Sequence, residues 1–382
     1  MGDEAIRRVE AALDEIRRGR IVILSDDEDR ENEGDLCMAA GFATPDAIAF
    51  MASKGRGLIC VSLTPDRVDA LRLPMMTDAN RSRLGTAFTV SIEARHGVTT
   101  GISAADRALT IRIAAGPAGG PDDLVSPGHV FPLRAAPGGV LQRTGQTEGA
   151  VDLARLAGLA PAGVICEVVN EDGTMARRPQ LERFAAEHGL AMLSVADIIA
   201  YRLQRERLVR RAASSEIDID VGGEWLRAAA TIYETSPGVD GGPIVALAVG
   251  DMSVRPLPVR VHRESWTTDA LRIRGIDGLH VSVGAALEAI RAAGGGVLLW
   301  LPPAPDLTFA DMLRRRREDG PEAAREIERP PVFREIGLGS QVLRDLGADE
   351  IALITNNPRV FAGIEGFGLR IVRFVDPGRP GV

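Results

Sequence analysis

The chain has 382 residues, of which 45% are apolar and 26% are charged, a composition typical of globular proteins and unlike that of disordered or collagen-like chains. Its net charge of −8 and its aromatic content of 4% argue against a general nucleic-acid-binding protein, which would present basic and aromatic side chains. No run of about eighteen apolar residues is found, so no membrane-spanning helix is predicted. A chain of this length suits two domains.

Three cysteines are widely spaced, at positions 37, 60 and 166, and form neither a disulfide framework nor a C-x-x-C zinc motif. The segment Met1–Arg20 is charged and patterned as a helix, without the apolar region of a secretion signal. We therefore expect reduced thiols and a cytoplasmic protein.

Helical and strand-like patterns alternate along the first half of the chain. Apolar spacing, N-caps and glycine stops predict helices at Asp3–Arg18, Asp46–Ser53, Pro65 to Leu71, Ser103 toward Ala108, Val151–Ala157, Pro179–Glu187 and from Ser194 onwards. Strands are predicted at Ile21–Leu24, Leu58–Leu63, Phe88–Ile92 and Val164–Val169. This alternation predicts an α/β or α+β sandwich.

The polar segment Arg210–Asp220 interrupts this pattern, and we predict a linker there between two domains, 1–206 and 207–382. Strands in the second domain are predicted at Trp225–Tyr233, Ile244–Val249, Val259–His262, Val297–Leu301 and Ile351–Ile354. Helices are predicted at Ala285–Ala293, at the charged segment Leu313–Glu326 and around Val342, Leu343 and Leu346.

An acidic loop, Asp26–Asp35, follows the first predicted strand and places seven carboxylates among ten residues. Such like charges repel unless they are hydrated, paired with arginine or bound to a cation. Oxygen ligands of this kind suit a hard cation such as Mg²⁺ or Mn²⁺. The alternative is a solvated acidic turn. Its position at a strand end, the interruption by Arg30 and the bend at Gly34 favour a binding site.

Three further groups of residues can carry chemistry. His129 lies on a Pro/Gly turn before a strand and is either an acid/base group or an ordinary turn residue. The run Arg143–Glu148 offers guanidinium, hydroxyl and backbone N–H donors to a phosphate, although Thr147 is equally explained as a helix N-cap. Glu167 lies in an apolar strand and is either ion-paired or a base with a raised pKa.

Together these groups resemble 3,4-dihydroxy-2-butanone 4-phosphate synthase, an enzyme family of riboflavin biosynthesis. The resemblance covers nearly all of residues 1–205, in order. The segments that carry it are DDEDRENEGD at Asp26–Asp35, LPMM at Leu73–Met76, GTAFTVSIEA at Gly85–Ala94, GVTTGISAADR at Gly97–Arg107, PGHVFPLRA at Pro127–Ala135, PAGVICE at Pro161–Glu167 and DGTMAR at Asp172–Arg177.

The resemblance implies conversion of D-ribulose 5-phosphate to formate and L-3,4-dihydroxy-2-butanone 4-phosphate. Enolisation, loss of water, a carbon-skeleton shift and formate release require proton transfer and a divalent metal, Mg²⁺ or Mn²⁺, with two ions per site compatible with the family. It also implies a homodimer with its sites near the subunit interface.

Residue roles follow from the same resemblance. Glu31 matches the direct metal ligand, and Arg30 and Asp35 match residues on the sugar. Arg143 and Thr147, with Gly145 between them, match the group that holds the substrate phosphate. Further matches are the turnover residues His129 and Glu167, with Asp35, and the neighbouring Cys60, Thr100 and Asp106.

One position departs from the family motif R-x-G-H-T-E, whose histidine is a metal ligand. This chain has Gln146 there. An amide oxygen can ligate Mg²⁺ but is a weaker donor and reaches a different point. We therefore expect Glu31 and Gln146 to hold the metal and synthase activity to be retained but weakened.

The second domain resembles GTP cyclohydrolase II, through RVHRES at Arg260–Ser265 and GLGSQVLRDLGADEIALITNNP at Gly337–Pro358. That enzyme holds zinc through cysteines, and this chain has no cysteine after Cys166. The arginine-rich E-G-R-G-I-G stretch of the family is also absent, with LPPAPDLTF at Leu301–Phe309 in its place. We therefore predict a degenerate GTP cyclohydrolase II-like α+β domain that binds no zinc and serves as a dimerisation module, a nucleotide sensor or a docking surface.

Two other functions remain open. One is a non-catalytic paralogue that binds a sugar phosphate or a partner and regulates flavin synthesis. The other is an enzyme that uses the same scaffold on a different phosphosugar.

Overall fold

The computed structural model describes residues 2–26, 30–239, 242–265, 269–270, 281–303, 314, 317, 333–356 and 364–377. The chain divides into two compact units. We call Asp3–Arg202 the N-terminal unit and Leu203–Val382 the C-terminal unit. Within the described residues, no helix is both long and apolar enough to cross a membrane.

The N-terminal unit is built on a seven-stranded mixed sheet in the order β4-β5-β3-β6-β2-β1-β7. Its strands are β1 (Val22–Ser25), β2 (Gly34–Ala39), β3 (Cys60–Leu63), β4 (Ile92–Ala94), β5 (Leu124–Arg134), β6 (Ala162–Glu167) and β7 (Met192–Ser194). The helices are α1 (Gly2–Arg17), α2 (Pro45–Phe50), α3 (Pro65–Ala70), α4 (Ala104–Ala115), α5 (Gln146–Leu156), α6 (Arg178–His188) and α7 (Val195–Arg205).

Helices cover both faces of this sheet. Successive strand residues point to opposite sides, so neighbouring residues of one strand pack against different layers of helices. On one face Ile23 of β1 joins apolar residues of α2, α4 and α6, such as Ile111. On the other face Leu24 of β1 packs with residues of α1, α5 and α7, such as Leu153. The predicted mixed α/β fold is confirmed in this arrangement of helices and strands.

The C-terminal unit has a second seven-stranded sheet, in the order β14-β13-β11-β12-β10-β9-β8. Its strands are β8 (Val209–Val221), β9 (Glu224–Thr235), β10 (Ile244–Gly250), β11 (Leu257–Arg263), β12 (Gly295–Leu301), β13 (Glu350–Ile354) and β14 (Arg370–Val375). Its helices are α8 (Val283–Ala292) and α9 (Phe333–Asp345). Leu287 and Ile290 of α8 pack with Leu298 of β12 in the core.

The linker predicted at Arg210–Asp220 is wrong. Residues Val209–Val221 form the edge strand β8, which pairs antiparallel with β9 along its whole length. Most of its side chains are exposed, so the apolar pattern that marks a half-buried strand is missing from this segment. The partner strand and its backbone hydrogen bonds hold the segment in the sheet.

Two further segments differ from the prediction. Residues Gly34–Ala39 form strand β2, which we did not predict; all six are buried, so the segment lacks the alternation of a half-exposed strand. The strand predicted at Phe88–Ile92 begins later, as β4 at Ile92, with Phe88 and Thr89 in isolated bridges. The helix predicted at Leu313–Glu326 lies almost entirely outside the described residues.

Candidate active site

The acidic loop folds around the side chain of Asp26. This carboxylate is fully buried and accepts hydrogen bonds from the backbone N–H of Glu31 at 3.1 Å and of Glu33 at 2.8 Å. It also accepts one from Arg30 Nη1 at 2.7 Å. The described part of the loop is therefore ordered by its own first carboxylate, while Asp27–Asp29 lie outside the described residues.

Arg30 connects the acidic loop to helix α5. Its Nη1 donates to Asp26 Oδ2 and also to Gln146 Oε1, at 2.9 Å. Its Nη2 lies 3.3 Å from Glu31 Oε1. Arg30 and Glu31, both assigned to the site from the sequence, are thus in contact, and Gln146 joins them through Arg30.

Asp35 and Glu167 are direct neighbours across the antiparallel pair of β2 and β6. Burial raises the pKa of Asp35 well above its usual value, and the charges of Glu167 and Glu31 raise it further. Glu167 Oε2 accepts a hydrogen bond from Leu58 N at 2.8 Å. Gly57 permits this approach, because a Cβ there would lie 2.6 Å from the same oxygen. The Asp35 carboxyl is therefore buried beside a second carboxyl group whose position is fixed by a backbone N–H.

Cys60 lies in β3, where its register partner on β6 is Ile165 and its partner on β5 is Phe131. The residue is buried, and burial raises the pKa of its thiol. A thiol in this state is a weak nucleophile at neutral pH.

The N-terminus of α5 is bordered by two arginines. Gly145 is its N-cap residue without a side-chain cap. A Cβ on Gly145 would lie 2.5 Å from Arg143 Nη1 and 3.1 Å from Arg30 Nη2. The start of a helix and two guanidinium groups together favour an anion, and the Glu148 carboxylate at the same place is paired with Arg143. The alternative of Thr147 as a simple N-cap is wrong, since Thr147 is the second residue of the helix.

Arg143 is held in place by a buried carboxylate. Its Nη1 donates to Glu148 Oε2 at 2.7 Å, while its Nη2 reaches the Leu84 carbonyl and Thr86 Oγ1, each at 3.3 Å. Burial raises the pKa of Glu148, and the charge of Arg143 opposes that rise.

His129 lies inside strand β5 and not on the turn that we predicted before it. Its Nδ1 is 2.6 Å from Glu93 Oε2. Glu93 is in turn close to Gly101, where a Cβ would come within 2.0 Å of both carboxylate oxygens. Sequence analysis missed Glu93 as a partner of His129, because only the pairing of β4 with β5 brings the two strands together.

Asp106 organises the turn before α4. Its Oδ2 accepts hydrogen bonds from Thr99 Oγ1 at 2.8 Å, Thr99 N at 3.2 Å and Gly101 N at 3.0 Å. Thr100 lies in this turn and is exposed. Asp106 thus fixes the backbone around Thr100 and beside Glu93.

The structure therefore groups the predicted residues in two sets. The first set surrounds the acidic loop and the start of α5 and contains Arg30, Glu31, Asp35, Arg143, Gly145, Gln146, Thr147 and Glu167. The second set contains Thr100, Asp106 and His129. Within the described residues no hydrogen bond joins the two sets. His129 lies on β5, whereas Asp35 and Glu167 lie on β2 and β6, and β3 separates β5 from β6 in the sheet.

A metal ion can be tested against the donors of the first set. No group of three His, Cys, Asp or Glu residues suited to a metal occurs among the described residues. Glu31 is partly exposed and offers one carboxylate, which suits Mg²⁺ because this ion often combines one or two carboxylates with water and substrate oxygens. Gln146 fits less well, because its Oε1 already accepts from Arg30. Its assignment as a ligand remains a prediction.

Comparison with known families gives two matches. Residues 10–201 match the model of 3,4-dihydroxy-2-butanone 4-phosphate synthase, and residues 210–376 match that of GTP cyclohydrolase II.

Similar proteins span nearly the whole chain. The riboflavin biosynthesis protein RibBA of Aquifex aeolicus is 48% identical, over 96% of this chain and 91% of its own. The 3,4-dihydroxy-2-butanone 4-phosphate synthase of Pseudomonas aeruginosa is 45% identical, over 97% of this chain and 99% of its own.

Two solved structures extend the comparison. RibBX of A. baumannii, a two-domain 3,4-dihydroxy-2-butanone 4-phosphate synthase, covers 97% of this chain and is itself covered completely, with a TM-score of 0.78 and 39% identity. A 3,4-dihydroxy-2-butanone 4-phosphate synthase in complex with two magnesium ions covers 52% of this chain, with 97% of its own chain aligned, a TM-score of 0.50 and 43% identity.

Proposed function

The chain belongs to the 3,4-dihydroxy-2-butanone 4-phosphate synthase family, and from this membership we propose that its N-terminal unit converts D-ribulose 5-phosphate to L-3,4-dihydroxy-2-butanone 4-phosphate and formate for riboflavin biosynthesis. The observation that carries the proposal is the placement of Arg30 and Arg143 against Gly145 at the start of α5, together with the Asp35–Glu167 pair on the adjoining strands.

Phosphate recognition is assigned to the start of α5. A phosphate there would meet the helical N–H groups, the two guanidinium groups and the Thr147 hydroxyl. Arg143 is supported by the buried Glu148, so the guanidinium is oriented before the substrate arrives. Such preorganisation lowers the entropy cost of binding.

Proton transfer is assigned to Asp35, Glu167 and His129. The raised pKa of Asp35 favours the protonated form of its carboxyl, which suits a group that donates and takes back a proton in enolisation and loss of water. Glu167 Oε2 is fixed by the Leu58 N–H and is suited to accept a proton. His129 is oriented by Glu93 at its Nδ1, which leaves Nε2 available for a further proton transfer.

A divalent cation, Mg²⁺ or Mn²⁺, is part of the proposal, with Glu31 as the residue that would hold it. When bound, it would polarise the substrate carbonyl. Support comes from the oxygen chemistry of the acidic loop and from the related synthase that was crystallised with two magnesium ions. Cys60, Thr100 and Asp106 are proposed to contact the substrate or to shape its surroundings.

The direct test is formate release from D-ribulose 5-phosphate with Mg²⁺, measured for the wild type beside Gln146→His. We expect turnover by the wild type and a rise of about tenfold in the variant, because a metal ligand usually affects activity on this scale. Asp46→Asn, at an exposed position of α2, serves as the control and should match the wild type. Absence of formate from every protein would contradict the synthase assignment.

The two alternative functions give other outcomes of the same assay. A regulatory paralogue would bind the sugar phosphate without turnover. An enzyme for a different phosphosugar would release product from another pentose phosphate, which product analysis by NMR would identify.

The C-terminal unit is proposed to be a degenerate cyclohydrolase domain without zinc, although residues 210–376 match the GTP cyclohydrolase II model. The chain has no cysteine in this region, and thiolates are the ligands that hold the family's zinc. Nε2 of His262 in this unit lies 3.0 Å from both carboxylate oxygens of Asp269. A relative that aligns over 97% of this chain and 99% of its own is named as the synthase alone, whereas another relative is described as bifunctional.

This proposal predicts that the full chain, supplied with Zn²⁺ and GTP, consumes no GTP, since no thiolate group is present to hold the metal. Chromatography measures the loss of GTP, and mass spectrometry of the metal measures the bound zinc. Consumption of GTP that rises with added Zn²⁺ would contradict the proposal. Calorimetry with GTP then separates a sensor, which binds without turnover, from a dimerisation or docking domain.

We further propose a cytoplasmic homodimer whose functional domains are 1–206 and 207–382. The three cysteines are free and buried, as expected for a reducing compartment. The solution mass of the full chain tests the dimer.

A further inference from the structure

Gln146 is the first residue of α5 and is only 5% exposed. Its Oε1 accepts a hydrogen bond from Arg30 Nη1, whereas its Nε2 is buried and has no hydrogen-bond partner among the described residues. Exchanging the two amide atoms would turn an N–H donor toward the N–H donor of Arg30. Arg30 therefore fixes the amide with its oxygen toward the guanidinium.

This orientation disfavours a cation on Gln146. The nitrogen has no lone pair to offer, and the oxygen is shared with a positive group. A Mg²⁺ at its normal distance of about 2.1 Å from this oxygen would lie within about 5 Å of Arg30 Nη1, and the two positive charges would repel.

Arg30 cannot easily move aside. Its Nη1 uses one hydrogen on Asp26 and the other on Gln146. Asp26 is itself fixed by the N–H groups of Glu31 and Glu33. With both hydrogens of Nη1 engaged, the plane of the guanidinium is set, and Nη2 lies beside Gly145 and Glu31. Without Gln146, Nη1 would keep only its hydrogen bond to Asp26, and the guanidinium plane would be held less tightly.

We propose that Gln146 is a positioning residue for Arg30 and supplies no ligand to the divalent cation. Gln146 holds the Arg30 guanidinium toward the start of α5, where the proposed phosphate site lies. Glu31 is then the protein group that carries the metal. The identity of the substrate rests on the proposed function, but the role of Gln146 in metal binding does not depend on it.

Whether Gln146 is a metal ligand is tested by measuring the affinity of the full chain for Mn²⁺ with electron paramagnetic resonance. Gln146→Met has a similar size and no strong ligand atom for Mn²⁺, and we expect its affinity to stay within twofold of the wild type. Glu31→Gln should lose about tenfold or more, because it removes the carboxylate that carries the metal. A loss in Gln146→Met as large as that in Glu31→Gln would identify Gln146 as a ligand and overturn the proposal.

Whether Gln146 positions Arg30 is tested without metal. Calorimetry in EDTA measures the affinity for D-ribulose 5-phosphate and, separately, for inorganic phosphate. We expect Gln146→Met to weaken binding by about fivefold, because Arg30 loses its second acceptor. In an Arg30→Lys background the same substitution should have no effect, since lysine lacks the planar fork.

Three results separate the possible failures. An unchanged affinity in Gln146→Met, or an equal loss in the Arg30→Lys background, overturns the positioning role. Binding of inorganic phosphate but not of the sugar phosphate contradicts the proposed function and leaves the role of Gln146 supported. No anion binding by the wild type overturns the positioning role, while Mn²⁺ binding still decides whether Gln146 is a ligand. Melting temperatures of all variants establish that each is folded.

Discussion

Replacing Asp35 with Asn is expected to reduce formate release by about a hundredfold or more, while it stabilises the fold at neutral pH. The loss of activity follows from removing a group that exchanges protons, since such groups contribute about 10²- to 10⁴-fold to the rate. The gain in stability follows from removing a buried carboxyl whose neighbours Glu167 and Glu31 oppose its ionisation.

The raised pKa of Asp35 also determines the direction in which the stability of the wild type changes with pH. The pKa of Asp35 is raised in the folded state above its unfolded value of about 3.9. The contribution of this proton to the free energy of unfolding is therefore fully present below about pH 4. That contribution is lost as the pH rises through the folded pKa. The wild type should therefore lose stability relative to Asp35→Asn between acidic and neutral pH.

Urea unfolding of both proteins between pH 4 and pH 8 measures this difference. We expect Asp35→Asn to be more stable than the wild type at pH 7 and the difference to shrink as the pH falls, because the raised pKa of Asp35 destabilises the folded wild type only where the unfolded chain is ionised. The control Asp46→Asn removes an exposed carboxylate and should leave the pH profile unchanged. Equal stability of Asp35→Asn and wild type at pH 7 would mean that Asp35 is not destabilised by its neighbours.

Arg202→Met is expected to lower the free energy of unfolding of the N-terminal unit by about 3 to 5 kcal/mol, because it removes the buried counter-charge of a buried carboxylate. Arg202 Nη1 donates to Asp152 Oδ2 and to the Gly138 carbonyl, each at 2.8 Å. Asp152 also accepts from Val140 N at 2.9 Å. Both side chains are buried.

The same contacts connect α5, α7 and the turn that leads to Arg143. Gly139 belongs to this turn and has a φ of +61°, and a Cβ there would lie 2.4 Å from Asp152 Oδ2. The buried pair therefore holds the turn against α5, and its loss should also loosen the residues before the helix.

Thermal and urea unfolding of Arg202→Met measure the loss. Arg155→Met is the matched control, because Arg155 lies 3.4 Å from the other oxygen of Asp152 and is 43% exposed; exposed pairs contribute less than about 1 kcal/mol. The double variant Asp152→Leu, Arg202→Met should cost less than Arg202→Met alone, since no charge remains buried. A loss in Arg202→Met no larger than in Arg155→Met would contradict the role of the pair.

The amino-acid sequence by itself determined the mixed α/β class, the family and most of the helices. These features depend on local signals. Thr64 followed by Pro65 begins α3, Ser103 caps α4 through the Asp106 N–H, and Gly189 ends α6 in a left-handed conformation. Caps, glycine stops and apolar spacing act over a few residues, so the linear sequence displays them.

Only the tertiary structure decided which residues meet. Asp35 and Glu167 are neighbours because β2 pairs with β6, and Arg30 reaches Gln146 across 116 residues of chain. The edge strand β8 and the buried strand β2 were missed for the same reason. Their hydrogen-bond partners and burial come from distant parts of the chain, and neither leaves a periodic pattern in the segment itself. The acidic loop was evident in the sequence, but its folding around Asp26 and its contact with α5 required the packed sheet.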